Sequence, residues 1–97
     1  MFKTIMKLFS TKSLLNSEFT FTRSFDVDSY SQIKDTILNN LKGKEIEYVS
    51  DNLDSAIFIY EISDKSYLRV FISGPWEVIV CCNDKSVLDM IENQIKH

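Results

Sequence analysis

Four short apolar segments follow one another between residues 44 and 82, and they constrain the fold more than any other feature of the chain. They span residues 44–50, 56–62, 67–72 and 76–82. Each has the length of a β-strand and is rich in β-branched and aromatic residues. Only three to five turn-forming residues separate one segment from the next, and connections that short join neighbouring antiparallel strands. The sequence therefore predicts a four-stranded antiparallel meander.

A fifth strand and two helices are predicted around this meander. Residues 19–25 alternate aromatic and small polar side chains, which is typical of a half-buried strand. Two further segments have the apolar spacing of an amphipathic helix. The first carries Tyr30, Ile33, Ile37, Leu38 and Leu41, and the second carries Val87, Leu88, Ile91 and Ile95.

The ends of these helices carry recognisable signals. Asp28 or Ser29 is expected to cap the first helix, since Gln32 completes a capping-box spacing with Ser29. Gly43 is expected to end it in a left-handed conformation. Asn83 or Asp84 is expected to cap the second helix.

The first 17 residues differ from the rest of the chain in charge. They contain three lysines and no acid, whereas residues 18–97 carry eight basic and fourteen acidic side chains, a net charge of −6 (8 − 14). Phe2, Ile5, Met6 and Phe9 recur at helical spacing, so residues 2–15 are predicted to form a basic amphipathic helix. Three roles remain open for it: docking on the domain, contact with an anionic membrane or acidic partner, or organelle targeting.

Together these patterns predict one α+β domain in residues 18–97, preceded by a basic amphipathic segment in residues 1–17. The expected architecture is a two-layer sandwich with a mainly antiparallel five-stranded sheet and its helices on one face. The order of elements is α-β-α-β-β-β-β-α. A chain of 97 residues is long enough for one hydrophobic core of this kind.

Hairpin tips at Asp64-Lys65 and Gly74-Pro75 would place Phe58 opposite Phe71, and Phe71 opposite Val78. Both faces of the meander are apolar in this register. The face predicted to lie under the helices is aliphatic: Ile57, Ile59, Leu68, Val70, Ile72, Ile79 and Cys81. The other face is rich in aromatic side chains: Phe58, Tyr60, Ile62, Tyr67, Arg69, Phe71, Trp76, Val78, Val80 and Cys82.

The aromatic face is the predicted binding surface, because an apolar surface of that size is normally covered. Its cover would be residues 1–15, a second copy of the chain or a partner protein. Six residues form the predicted partner-binding site: Phe58, Tyr60, Tyr67, Arg69, Phe71 and Trp76. Arg69 would be a cation–π anchor among these rings, or its head would reach Glu45 or Glu47.

Residue patterns typical of catalysis are sparse. The single histidine is the terminal His97, and Cys81 and Cys82 are adjacent, so no metal site, cofactor or catalytic residue is predicted. Asp26 and Asp28 flank the junction between the first strand and the first helix, and they define the alternative hypothesis of a small enzyme with an acidic site.

These observations predict a small acidic protein-interaction module of the inhibitor, immunity or accessory type that is not an enzyme. It would bind another protein or a second copy of itself, and its acidic body disfavours nucleic acid. We expect a cytoplasmic protein without a transmembrane segment, since two unpaired cysteines suit a reducing compartment. The alternative is an accessory subunit that residues 1–17 target to an organelle, such as the mitochondrion, or attach to a membrane.

Overall fold

The computed structural model describes residues 14–15, 17–50, 55–63, 66–74 and 77–95. It has the predicted α+β fold, a five-stranded antiparallel sheet with two helical segments. The strands are β1 (Phe21–Asp26), β2 (Lys44–Ser50), β3 (Ser55–Ser63), β4 (Ser66–Ser73) and β5 (Glu77–Cys82). The predicted helix over residues 2–15 lies almost wholly outside the described residues.

The sheet has the strand order β1-β5-β4-β3-β2. The first helical segment carries the chain from β1 to the far edge, and the meander then returns across the sheet until β5 pairs with β1. The two edge strands are therefore β1 and β2. Edge strand β2 is interrupted by a bulge at Ile46, between the pairs Glu45–Tyr60 and Glu47–Ile59.

The first helical segment, α1, spans residues 27–40 in three parts. A 3₁₀ turn (Val27–Ser29) leads into an α-helix (Tyr30–Asp35), which widens into a π turn (Thr36–Asn40). Ser29 precedes the α-helical part as predicted, but its backbone is already helical and its side chain makes no capping hydrogen bond. Asp26 precedes the 3₁₀ turn with the extended backbone angles of an N-cap residue, and its side chain makes no capping hydrogen bond either.

The end of α1 depends on Lys42 and Gly43, whose roles differ from the predicted ones. Lys42, not Gly43, takes the left-handed conformation (φ 55°). The Gly43 N–H donates to the carbonyl oxygen of Ile37 at 2.7 Å. A Cβ atom on Gly43 would lie 2.6 Å from Cγ2 of Ile37, so glycine is required there for close approach and not for its backbone angles.

Substitutions at these two neighbours are expected to have opposite effects on stability. Gly43→Ala should lower the free energy of unfolding by about 1–3 kcal/mol, because the buried Ile37 has to move. Lys42→Gly should raise it by about 0.5 kcal/mol, because glycine removes the steric cost of the left-handed backbone. Urea unfolding followed by circular dichroism measures both. A Gly43→Ala variant as stable as wild type would contradict this account of the turn.

The second helix, α2 (Lys85–Ile95), begins as the sequence predicts. The Asp84 carboxylate accepts hydrogen bonds from the Ser86 backbone N–H (3.0 Å) and hydroxyl (2.7 Å), which satisfies a free amide of the first turn. Arg23 of β1 holds the other side of this helix through ion pairs with Asp89 and Glu92.

Both helices pack on the same face of the sheet, as predicted. Ile33 and Ile37 of α1 and Leu88 and Ile91 of α2 are fully buried there. They form one core with residues from three strands: Tyr60, Leu68, Val70, Val78, Val80 and Cys82.

The predicted register is wrong by one residue in both hairpins. Phe58 lies opposite Val70, and Phe71 lies opposite Ile79. In the first hairpin Ser63 and Ser66 do flank the predicted two-residue tip, but a bulge at Ile62 shifts every pair beyond it. In the second hairpin Ser73 pairs with Glu77, so the loop holds three residues instead of two. Strands β3 and β5 are therefore turned over relative to the prediction, and β4 is not.

Candidate functional site

The sheet face opposite the helices, here called the open face, consists of rows of side chains that cross the strands. The strap row contains Thr22, Cys81, Arg69, Ile59 and Glu47, in the order of the strands. The neighbouring apolar row contains Ile79, Phe71, Ile57 and Val49. These two rows differ in how they are covered.

A segment of chain preceding β1 crosses the strap row. This strap consists of residues 14–15 and 17–19. Nη1 of Arg69 donates to the carbonyl oxygens of Leu15 and Ser17, each at 2.8 Å. Its guanidinium carbon lies 5.0 Å from the centroid of the Phe19 ring, within cation–π range. One side chain therefore fixes the strap at three points.

The far end of the strap lies on edge strand β2. The Leu14 N–H donates to Oε2 of Glu47 at 3.0 Å. Between Arg69 and Glu47 in the strap row lies Ile59, which is fully buried although both described helices pack on the opposite face. Cys81, which is also buried, contacts the Arg69 guanidinium through its sulfur at 3.7 Å. The strap thus gives the open face a small core of its own.

The apolar row retains exposed surface. Val49 is 44% exposed, and Ile57, Phe71 and Ile79 are each partly exposed. The four side chains are consecutive across β2, β3, β4 and β5, so they form one continuous apolar strip. A strip of this kind is a typical site for contact with another apolar surface.

Carboxylates flank the apolar row on both sides. Beyond it lies a polar row with Asp26 and Glu77, paired across β1 and β5, and the Ser24 hydroxyl donates to Glu77 at 2.8 Å. On the other side lies the strap row, which carries one carboxylate, Glu47, and the Arg69 guanidinium. The strip is therefore bordered by two carboxylates on one side and by one carboxylate and one guanidinium on the other.

The six residues predicted to form the binding site do not all lie on one face of the sheet. Tyr67, Arg69 and Phe71 of β4 lie on the open face, as the sequence predicts. Phe58 and Tyr60 of β3 lie on the helix face instead, because the bulge at Ile62 turns that strand over. Trp76 lies outside the described residues. Sequence reasoning missed Val49, Ile57 and Ile79 as members of the exposed strip.

Phe58 and Tyr60 belong to an aromatic cluster beside edge strand β2. The Phe58 ring centroid is 4.8 Å from that of Tyr48, 6.2 Å from that of Tyr60 and 6.4 Å from that of Tyr30. Burial, reinforced by neighbouring phenols and by the Glu45 carboxylate, raises the pKa of Tyr60 to about 12 and also raises the pKa of Tyr30. Both phenols stay neutral at physiological pH, as expected of packing groups.

Arg69 is bound to the strap and is not an exposed anchor for a partner. Neither of the two predicted roles is found as stated: Arg69 contacts the Phe19 ring, and it donates hydrogen bonds to backbone carbonyls of the strap and to the Cys81 sulfur. Glu47 still contributes, because it binds the same strap one residue further along.

The alternative acidic site is exposed. Asp26 ends β1 and Asp28 lies in the first turn of α1, both open to solvent. In the part of the chain that the structure describes, no three His, Cys, Asp or Glu side chains are grouped as a metal site would require.

No family model, curated protein or solved structure matches the chain. Within the described ranges, no helix combines the length and apolar character needed to cross a bilayer. The open face is therefore the best-defined candidate for a functional surface.

Proposed function

We propose that this domain is a protein-binding module whose open face holds the apolar side of a basic amphipathic segment from a partner protein. The exposed strip of Val49, Ile57, Phe71 and Ile79 is the observation that carries the proposal. Scattered exposed apolar residues are ordinary on protein surfaces, whereas a continuous strip of four is characteristic of contact surfaces.

The strip supplies the apolar part of the binding free energy. Full burial of an aliphatic or aromatic side chain contributes about 1.5–3 kcal/mol relative to exposure. These four side chains are already partly buried, so the remaining gain is on the order of a few kcal/mol in total. That gain also has to offset the entropy lost on association, and additional polar contacts at the border are needed for tight binding.

The carboxylates beside the strip support the choice of a basic partner. Asp26 and Glu77 lie on one side of the strip, and Glu47 lies on the other side in the same row as Arg69. Residues 18–97 carry a net charge of −6 (8 − 14). Complementary charge increases association rates and disfavours acidic competitors. Binding should therefore weaken as the salt concentration rises.

Within this proposal the domain does no chemistry and acts in the cytoplasm, where Cys81 and Cys82 remain reduced. An inhibitor, an immunity protein or an accessory subunit would each use such a surface, because each acts by covering a complementary surface on another protein.

The test is affinity capture from the native source with the full chain as bait, repeated with matched variants. Val49→Ser and Phe71→Ser alter the strip, whereas Leu38→Ser alters a comparably exposed apolar residue of α1 (39% against 44% for Val49). We expect the captured partner to be reduced at least tenfold with both strip variants and retained with Leu38→Ser. Circular dichroism confirms that each bait is folded. A partner that both strip variants retain would refute the proposal.

A further inference from the structure

The aromatic cluster beside β2 contains a phenol that makes no hydrogen bond within the described structure. Tyr60 is only 2% exposed, and among the hydrogen bonds of the described residues none involves its hydroxyl. Since no fully buried polar side-chain atom of the described residues lacks a partner, the hydroxyl itself has to reach solvent. Buried tyrosines normally direct their hydroxyl to a hydrogen-bond partner, so this one is free to meet a ligand.

The hydroxyl is surrounded by aromatic rings and one carboxylate, here called the tyrosine site. Glu45 of β2 lies directly opposite Tyr60, and Tyr48 lies opposite Phe58. Side chains paired in this way are about 5 Å apart at Cβ, so the four form one block on the helix face of the sheet. Tyr30 of α1 packs on this block, with its ring centroid 6.4 Å from that of Phe58.

The Glu45 carboxylate supplies the charge of the tyrosine site. Burial is the main cause of the raised pKa of Tyr30 and of Tyr60, and the Glu45 charge adds to it in both. A carboxylate has this effect on a phenol only when it is near, so Glu45 lies close to both hydroxyls. Glu45 is exposed and takes part in neither ion pair of the described residues.

These groups together fit a primary ammonium ion. Phenol and carboxylate oxygens accept hydrogen bonds, and a primary ammonium group offers three donors. The faces of aromatic rings attract a cation within about 6 Å. A quaternary ammonium ion has no N–H to donate to the Tyr60 hydroxyl, and Glu45 would repel an anion.

The tyrosine site opens at the edge of the sheet, next to one end of the apolar strip. Tyr48 is 53% exposed and Val49 is 44% exposed. They are consecutive residues of edge strand β2, so their side chains point to opposite faces of the sheet. A partner that covers Val49 therefore needs only to pass round this edge to reach Tyr48. The flexible four-carbon stem of a lysine suits that path.

We propose that the tyrosine site binds the ammonium group of a lysine side chain from the partner protein. Glu45 balances the charge of the ammonium group, the Tyr60 hydroxyl accepts one of its hydrogen bonds, and the exposed Tyr48 ring contacts it through its face. The assignment of the lysine to the partner rests on the proposed function, whereas the binding of an ammonium group rests on the tyrosine site alone.

Ammonium binding is tested by NMR on the full chain with ¹³C-labelled tyrosine rings, titrated with n-butylammonium chloride. The chain has four tyrosines, and Tyr67 lies on the open face, so it serves as an internal reference. We expect saturable shifts for Tyr30, Tyr48 and Tyr60 and none for Tyr67, with no saturable shift when neutral n-butanol is added instead. Signals that do not respond, or that respond equally to n-butanol, would overturn the proposal.

Matched variants locate the bound ammonium group. Glu45→Gln should weaken n-butylammonium binding about tenfold and Tyr60→Phe about fivefold, since the first removes a charged acceptor and the second a neutral one. Glu61→Gln is the control, because Glu61 lies on the same strand pair as Glu45 but on the open face. Circular dichroism shows whether each variant is folded. Equal affinity of Glu45→Gln and Glu61→Gln would show that Glu45 does not hold the cation.

The lysine source is tested by the capture experiment with Glu45→Gln as bait. We expect the captured partner to be reduced about tenfold relative to Glu61→Gln, in line with the loss of one charged contact. Undiminished capture by a Glu45→Gln bait that has lost n-butylammonium binding would refute the partner lysine and leave a free amine as the ligand.

The two proposals fail separately. If n-butylammonium binds as expected but capture yields no partner that depends on Phe71, the tyrosine site stands and the proposed function is wrong. If such a partner is captured and the tyrosine signals do not respond to n-butylammonium, the open face stands and the ammonium site is wrong.

Discussion

Val78→Asp is expected to abolish folding of the domain, whereas Ile79→Asp, one residue further along β5, is expected to leave it folded. Val78 is fully buried beneath the helices, and an unpaired carboxylate there should cost at least about 4 kcal/mol. That is close to the entire stability of a marginal small domain, about 5 kcal/mol. Ile79 is partly exposed on the open face, so its variant should lose only about 1–2 kcal/mol.

Circular dichroism and urea unfolding of the two variants decide between the observed register and the one that two-residue hairpin tips predict. In the predicted register the positions exchange, with Ile79 under the helices and Val78 on the other face. An unfolded Ile79→Asp variant beside a folded Val78→Asp variant would therefore contradict the pairing of Phe71 with Ile79.

Arg69→Met is expected to release the strap and to lower the free energy of unfolding by about 3 kcal/mol. The substitution keeps an apolar stem but removes two charge-assisted hydrogen bonds, each worth about 1.5–3 kcal/mol and not fully additive. It also removes the contact with Phe19. Hydrogen exchange at the Leu14 amide, which donates to Glu47, should accelerate before the core amides do.

Arg23→Met is the matched control for this experiment. Arg23 is the arginine of β1 on the helix face, and its carboxylate partners Asp89 and Glu92 remain partly exposed, at 50% and 30%. Solvent-screened ion pairs of this kind contribute about 0–1 kcal/mol. If Arg69→Met costs no more than Arg23→Met, the strap is not held by Arg69.

The two helices could be predicted from the spacing of their apolar residues, and the two faces of β4 could be predicted from its one charged residue, Arg69. Ile33, Ile37, Leu88 and Ile91 lie at helical spacing and are all buried. In β4, Arg69 lies between Leu68 and Val70, both buried beneath the helices. A charged residue inside a strand indicates which face is the less buried one, and here that indication is right.

Strands β3 and β5 carry no such indication. Residues 56–60 and 78–82 are apolar without interruption, so their faces depend entirely on the hairpin register. The register in turn depends on one extra residue in each hairpin, the bulge at Ile62 and the third loop residue before Glu77. A one-residue shift turns every side chain of a strand to the other face, and local sequence does not specify it when both faces are apolar.

The strap could not be foreseen for a different reason. Its attachment to Arg69 uses the backbone carbonyls of Leu15 and Ser17, and every residue has a carbonyl group. From the side chains alone, Arg69 and Glu47 could be expected on the same face of the sheet. The segment of chain that both of them bind could not be predicted.

The pairing of β1 with β5 has a consequence for synthesis of the chain on the ribosome. Phe21 is placed opposite Cys82, so β1 stays without its neighbour in the sheet until β5 has been synthesised. Contacts between such distant residues form slowly. A nascent chain that stops before β5 therefore leaves β1 unpaired and the sheet incomplete.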